Sequence, residues 1–143
     1  MVPVLTDHDM ALLNEIEQAL KNGQINPYYQ PQYDSITGHL VSAEALARWI
    51  TPEGKVITPD YFIPCAEGTD LILKIDWHML DEVCKFLNKR RQEGLHCVPI
   101  AVNFSRKHIR ENCFRQRLCQ VVDRYGLPRN LIELELTESD MMS

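Results

Sequence analysis

The sequence lacks the long hydrophobic runs, repeats and signal segments that define several specialised classes of protein. Of its 143 residues, 45% are hydrophobic and 24% are charged, whereas disordered chains are far poorer in apolar residues. No apolar run approaches the roughly 18 residues of a membrane span. The first ten residues contain Asp7 and Asp9 but no basic cluster, so they do not resemble a signal peptide. We therefore predict one globular domain with its own core and no membrane span.

Charge and cysteine usage exclude further classes. Fifteen Lys and Arg against twenty Asp and Glu give a formal net charge of −5, which disfavours non-specific nucleic-acid binding and predicts no DNA partner. The five cysteines are odd in number, and none belongs to a Cys-x-x-Cys pair. The sequence therefore predicts neither a disulfide framework nor a structural zinc site, and the cytoplasm is the simplest location.

Hydrophobic periodicity predicts an alternation of helices and strands along the chain. The predicted helices cover 6–22, a short segment that begins at Thr58-Pro59, 70–93, and 105–125 with a break near Asn112; the predicted strands cover 28–33, 40–49, 98–105 and 131–139. Pro31 indicates that the first strand lies at an edge. This alternation favours an α/β fold with a parallel sheet.

Each predicted strand has one apolar face and one face with polar or small side chains. The polar faces carry Gln30 and Gln32 on the first strand, Ser42, Glu44 and Arg48 on the second, Asn103 and Ser105 on the third, and Glu133, Glu135 and Thr137 on the fourth. Strands of a doubly wound sheet are apolar on both faces because helices cover both. A partial (β/α) barrel of the TIM type explains the pattern better; an open sheet with one solvated face is the alternative.

Three oxygen-bearing side chains occupy comparable places on successive strands, namely Glu44, Asn103 and Glu135. Carboxylate and amide oxygens are the ligands that Mg²⁺ and Mn²⁺ prefer. The alternative for a single acid is a structural ion pair, for example between Glu44 and Arg48. Three such residues on one face favour a metal site.

Five motifs in order give the chain a family resemblance. They are Tyr29-Gln30-Pro31, Ala43-Glu44-Ala45-Leu46-Ala47-Arg48-Trp49, Pro59-Asp60-Tyr61-Phe62-Ile63-Pro64-Cys65-Ala66-Glu67, Val102-Asn103-Phe104-Ser105 and Glu135-Leu136-Thr137-Glu138-Ser139. Together they resemble the EAL domain, which is named for its Glu-Ala-Leu signature. The resemblance spans residues 29–139 and covers only the N-terminal portion of that domain. It implies that residues 1–143 form this portion.

The resemblance implies an activity and a metal. EAL domains are barrels that hydrolyse the bacterial second messenger cyclic di-GMP to linear pGpG with two Mg²⁺ or Mn²⁺ ions. By motif position, Glu44, Asn103 and Glu135 correspond to metal ligands. Two cations neutralise a phosphate and lower the pKa of an attacking water.

The same motifs imply contacts with the substrate. Arg48 corresponds to a residue that holds a substrate phosphate, and arginine grips phosphate oxygens with paired donors. Gln30 and Leu46 correspond to contacts with the dinucleotide. Glu138 corresponds to a glutamate that supports a downstream active-site loop. Cyclic di-GMP is therefore the implied partner.

The match stops partway through the family's pattern. A (β/α)₈ barrel typically needs about 250 residues. The family has an Asp-Asp pair on its next strand and a lysine later, but this sequence has no Asp-Asp dipeptide and no lysine after Lys107. We therefore expect a truncated domain that is inactive as an isolated single chain.

Three interpretations of the shortened pattern stay open at the level of sequence. The chain is an excised or truncated piece of a longer protein, or two copies associate by swapping or pairing strand edges, or it is a shortened relative that binds a partner protein and no longer catalyses. The corresponding functions are an enzyme portion, a module that binds cyclic di-GMP or a protein, and a fragment without a function of its own.

Overall fold

The computed structural model describes residues 5–137, which form four helices and five strands. The helices are α1 (Asp7–Lys21), α2 (Pro59–Glu67), α3 (Leu71–Gln92) and α4 (Phe114–Arg124), with single 3₁₀ turns at Arg106–Arg110 and Arg129–Leu131. The strands are β1 (Ile25–Tyr33), β2 (Leu40–Ile50), β3 (Val56–Ile57), β4 (Ile100–Ser105) and β5 (Ile132–Thr137). Within 5–137, no helix combines the length and the apolar character that a membrane crossing requires.

The pairing of the first two strands corrects the prediction of a parallel sheet. β1 and β2 run antiparallel, and only the β2–β4 and β4–β5 pairs are parallel. The loop 34–39 is too short for the crossover that a parallel pair requires. The Asp34 carboxylate instead accepts hydrogen bonds from the backbone N–H of Ile36 (N to O 2.7 Å) and of Thr37 (3.1 Å), and Gly38 has a φ of 74°. These features form a tight turn.

Two other segments differ from their predictions. The segment 51–57, in which no helix or strand was predicted, contains β3, which pairs antiparallel with the end of β2. The helical stretch predicted from Ser105 is divided into the 3₁₀ turn Arg106–Arg110 and helix α4. Cys113 stands before α4 with a left-handed φ of 68°, a conformation that interrupts a regular helix and explains the break predicted near Asn112.

The sheet order is β1-β2-β4-β5, so β1 and β5 are its two edges among the described strands. Pro31 therefore lies on an edge strand, as predicted. The outward-facing side chains of β4, namely Ile100, Val102 and Phe104, are buried beneath α3 together with Ala43 and Ala45 of β2. The opposite face of the same strands carries the polar side chains. Period-two alternation thus separates the core from the candidate site.

The Asp76 carboxylate joins α3 to the end of β4. One of its oxygens, Oδ2, accepts a hydrogen bond from the backbone N–H of Ser105 at 2.8 Å. The Ser105 hydroxyl in turn caps the following 3₁₀ turn by accepting from the backbone N–H of Lys107 at 3.2 Å. The end of β4 is therefore held by both its strand neighbours and a helix.

We expect the Phe104→Ala variant to lose about 3–5 kcal/mol of unfolding free energy, because Phe104 is fully buried and its removal leaves a cavity. Urea denaturation followed by circular dichroism measures the loss. The Ile36→Ala variant is the control, since Ile36 is 92% exposed and its replacement should change stability by less than about 0.5 kcal/mol. Equal losses in both variants would contradict the described core.

We also expect the cysteines to differ in reactivity. Burial raises the pKa of the Cys84 thiol to about 12, so this side chain has almost no nucleophilic thiolate at neutral pH. Cys113 is exposed. A disulfide reagent should modify Cys113 rapidly and Cys84 only after unfolding. In the Cys113→Ser variant the fast phase should decrease, and rapid modification of Cys84 in the folded protein would be inconsistent with this packing.

Candidate functional site

Strand register places the three predicted metal ligands on the face opposite α3. Asn103 of β4 lies directly across from Glu135 of β5, and Glu44 of β2 lies across from Ala101 of β4. Ala101 and Asn103 are two residues apart and therefore share a face. The structure thus brings Glu44, Asn103 and Glu135 onto one side of three adjacent strands.

A hydrogen bond connects two of the three side chains. The side-chain amide Nδ2 of Asn103 donates to Oε2 of Glu44 at 3.2 Å. Both residues are half-buried, whereas Glu135 is exposed. This contact orients the amide so that its nitrogen faces Glu44, and its oxygen Oδ1 is the atom that can accept a cation.

The side-chain oxygens of Glu44, Asn103 and Glu135 suit a hard divalent cation, but they are few. Two carboxylates and one amide oxygen are the ligand types that Mg²⁺ and Mn²⁺ take, and these ions complete their shells with water or substrate oxygens. In the described part of the chain, no cluster of three or more His, Cys, Asp or Glu side chains is arranged to hold a metal ion. The Asn103 amide is therefore a necessary member of the set, and metal binding by these residues stays a prediction.

Gln30 lies beside this set. It is the cross-strand partner of Glu44, and paired residues of antiparallel strands point to the same face. Gln30 is exposed. The antiparallel pairing of β1 and β2 is what places Gln30 at this position, since a parallel β1 would have a different register.

Arg48 packs against an aromatic ring that the sequence did not single out. Its guanidinium carbon lies 3.5 Å from the centroid of the Tyr28 ring. Tyr28 pairs with Leu46 and is 51% exposed. Strand parity is the sequence signal that places Tyr28 at the candidate site, because Tyr28 is two residues before Gln30 and shares its face.

A small cavity of about 160 Å³ adjoins the polar face at the ends of β2 and β4. Leu46 and Asn103 line it from the sheet, and Pro59 and Ile63 line it from α2. The segment Pro59–Glu67 is one of the five motifs, so the fold places this motif beside the candidate site. Leu46 is the third predicted substrate contact found on this face.

A buried polar cluster lies behind the cavity, and the sequence patterns did not predict it. Nε2 of His108 lies 2.9 Å from Oδ2 of Asp76, and Nδ1 of His108 lies 2.9 Å from Oε1 of Glu111. Three aromatic rings surround the imidazole, namely Trp77, Phe104 and Phe114. His108 and Glu111 lie three residues apart at the 3₁₀ turn, but Asp76 comes from α3, and no motif or spacing reveals its contact with His108.

Burial raises the pKa of the Asp76 carboxyl, and the hydrogen bonds from His108 and from the Ser105 N–H oppose that shift only in part. Asp76 lines the same cavity as Asn103. Asp76 therefore supports the candidate site and contributes to its electrostatic environment. Glu138, the predicted loop-supporting residue, lies outside the described residues.

Comparison with known proteins identifies the family. The family model of the EAL domain matches residues 13–143. The chain therefore belongs to the EAL domain family, as the five motifs predicted.

Curated relatives agree with this assignment. The oxygen sensor protein DosP of Escherichia coli (strain K12) is 34% identical over 127 residues, which are 89% of this chain and 16% of that protein. The bifunctional diguanylate cyclase/cyclic di-GMP phosphodiesterase MucR of Pseudomonas aeruginosa is 34% identical over 133 residues, 93% of this chain and 19% of that protein.

Solved structures confirm the fold class, a partial (β/α) barrel. The PaMucR phosphodiesterase in complex with c-di-GMP superimposes with a TM-score of 0.79 at 34% identity, over 90% of this chain and 52% of that chain. The EAL enzyme Bd1971, in a form bound to cAMP and cyclic di-GMP, has a TM-score of 0.82 at 24% identity and shows the fold alone, over 94% of this chain and 38% of that chain. The chain thus spans about half, or less, of the length of these relatives.

The raised pKa of Asp76 predicts a specific pH dependence. Because its folded pKa exceeds the unfolded value, Asp76 contributes most to stability at low pH, and that contribution is lost as the pH rises through the raised pKa. The stability of the wild type relative to Asp76→Asn should fall from about pH 4 upward, by at most about 1.4 kcal/mol per pH unit.

Urea denaturation of both proteins at several pH values measures this difference. Asp7→Asn is the matched control, since Asp7 is exposed on α1, and its difference from the wild type should not decrease across the same range. A wild-type advantage over Asp76→Asn that grows with pH would show that the hydrogen bonds outweigh burial.

Proposed function

We propose that this chain supplies the N-terminal part of a site that hydrolyses cyclic di-GMP to linear pGpG with Mg²⁺ or Mn²⁺. One observation carries the proposal: Glu44, Asn103 and Glu135 share one face of three adjacent strands, and Asn103 already contacts Glu44. Membership of the EAL family supports it. So does the match to a relative named as a cyclic di-GMP phosphodiesterase.

The chain's own residues would bind the metal and the nucleotide. Glu44, Asn103 and Glu135 would hold the cation through their side-chain oxygens. When bound, such a cation supplies charge neutralisation at the phosphate and lowers the pKa of a water. The hydrogen bond between Asn103 and Glu44 keeps these two side chains together before the cation arrives, which reduces the entropy lost on binding.

Arg48 and Gln30 would orient the dinucleotide. Arg48 carries a permanent positive charge and several in-plane N–H donors, which suit a phosphodiester oxygen. Gln30 offers an amide donor and acceptor beside Glu44, and Leu46 offers an apolar contact at the cavity. The nucleotide would therefore lie across β1 and β2, with its phosphate near Arg48.

We further propose that turnover requires groups from outside these 143 residues. The family's Asp-Asp pair and its late lysine have no counterpart in the sequence, so one chain supplies three ligands of a two-metal site. A second copy could contribute through the edge of β5, where Leu134 is 41% and Leu136 is 38% exposed. Apolar residues on an edge strand favour pairing with another chain.

A second candidate is a module that binds cyclic di-GMP without cleaving it. The predicted nucleotide contacts Gln30, Leu46 and Arg48 share one face of the β1–β2 hairpin, and this placement favours binding of the dinucleotide by the chain's own residues. Either function fits the cytoplasm, because all five cysteines are free thiols.

Calorimetric titration of the purified chain with cyclic di-GMP in Mn²⁺ tests the proposal. We expect binding that requires the metal and that weakens at least about tenfold in Glu44→Gln, because this substitution removes one of the two negative charges that the ligand set offers the cation. Chromatography of the same mixture should show no pGpG, since the site is incomplete.

Glu15→Gln is the matched control, because it makes the same change on the exposed face of α1 and should bind like the wild type. Absence of any binding by the folded wild type would contradict the proposal. Metal-dependent formation of pGpG that disappears in Glu44→Gln would overturn the expected inactivity and establish the phosphodiesterase directly.

A further inference from the structure

Arg48 is a charged side chain that lies against an aromatic ring. It is half-buried at the end of β2. Among the ion pairs within residues 5–137, none involves Arg48, although Glu44 lies on the same face of the same strand. Its described interaction is with the ring of Tyr28.

The distance determines how the guanidinium lies on that ring. At 3.5 Å from the ring centroid, the guanidinium carbon is in van der Waals contact with the ring. Only a flat group fits at this separation, so the guanidinium is stacked on the face of Tyr28. Its N–H groups lie in its plane and point past the ring's edge, where an oxygen acceptor can meet them.

The backbone pairing explains why these two side chains meet. Tyr28 pairs with Leu46, and Asn26 pairs with Arg48, so Tyr28 and Arg48 are diagonal neighbours on one face of the hairpin. Diagonal neighbours are within reach of each other when one is aromatic and the other is long. The stack therefore depends on the antiparallel register of β1 and β2.

We propose that Tyr28 is a positioning residue that holds Arg48 flat, with its N–H edge turned toward a phosphodiester oxygen of the bound dinucleotide. This inference rests on the proposed function, since it deepens the role of the same site. A free arginine side chain samples many rotamers, and stacking removes that freedom before the ligand binds. This restriction of the Arg48 side chain requires an aromatic ring at position 28 but no hydroxyl group.

The affinity for cyclic di-GMP in four variants tests this role by a double-mutant cycle. Tyr28→Phe should bind like the wild type. Tyr28→Leu should bind about two- to fivefold more weakly, which is the range of an exposed cation–π contact. In an Arg48→Met background, adding Tyr28→Leu should cause no further loss, because Tyr28 acts through Arg48.

Tyr33→Leu is the control, since Tyr33 is an exposed tyrosine at the far end of β1. A loss in Tyr28→Leu that persists undiminished in the Arg48→Met background would overturn the inference in favour of direct stacking on a base. A loss in Tyr28→Phe as large as that in Tyr28→Leu would also overturn it. If Arg48→Met weakens binding and Tyr28→Leu does not, the inference fails and the proposed function stands.

A second measurement needs no ligand and separates the two proposals. The Nε–H resonance of Arg48 should be shifted upfield by the ring current of Tyr28, and Tyr28→Leu should abolish that shift whereas Tyr28→Phe should retain it. If the shift is present and the wild type does not bind cyclic di-GMP, the proposed function fails and the phosphate role fails with it. An Arg48 signal unchanged by Tyr28→Leu would overturn the stack itself.

Discussion

The burial of one face of β4 beneath α3 is the constraint on which the rest of the structure depends. Val102 and Phe104 are inaccessible to water, and Phe104 is among the largest fully buried side chains. Since side chains alternate along a strand, burying these two forces Ala101 and Asn103 to the opposite face. The parallel neighbours then place Glu44 and Glu135 on that same face. Core packing thereby determines where polar oxygens collect.

Contacts that span different segments hold that polar face in position. Asn103 donates to Glu44 from the neighbouring strand, and Arg48 stacks on Tyr28 across the hairpin. Behind the sheet, the Asp76 carboxylate accepts from the Ser105 N–H at the end of β4. Each contact limits the freedom of a side chain before any ligand is present. An arrangement of this kind favours binding, because less conformational entropy is lost when a cation or a phosphate arrives.

Sequence patterns located most elements, and the failures have physical causes. The apolar stripe of the long helix α3 predicted this helix, and α1, which was predicted over 6–22, begins after a capping box of Thr6 and Asp9. The direction of β1 was wrong, because alternation of helices and strands says nothing about two strands joined directly. The two-residue strand β3 is too short to show a period. The buried contact between His108 and Asp76 joins the 3₁₀ turn to α3 across 32 residues of sequence, and such a contact leaves no local signal.

The sequence alone determined the family and the approximate elements and predicted the metal ligands and substrate contacts of the candidate site, because ordered motifs and strand parity are local properties. Tertiary structure decided which of those residues meet. Gln30 lies opposite Glu44 only through the antiparallel register, and Tyr28 contacts Arg48 only through the diagonal of the same hairpin. Register depends on turn geometry and on side chains packing across strands, and such non-local contacts form only when the chain folds.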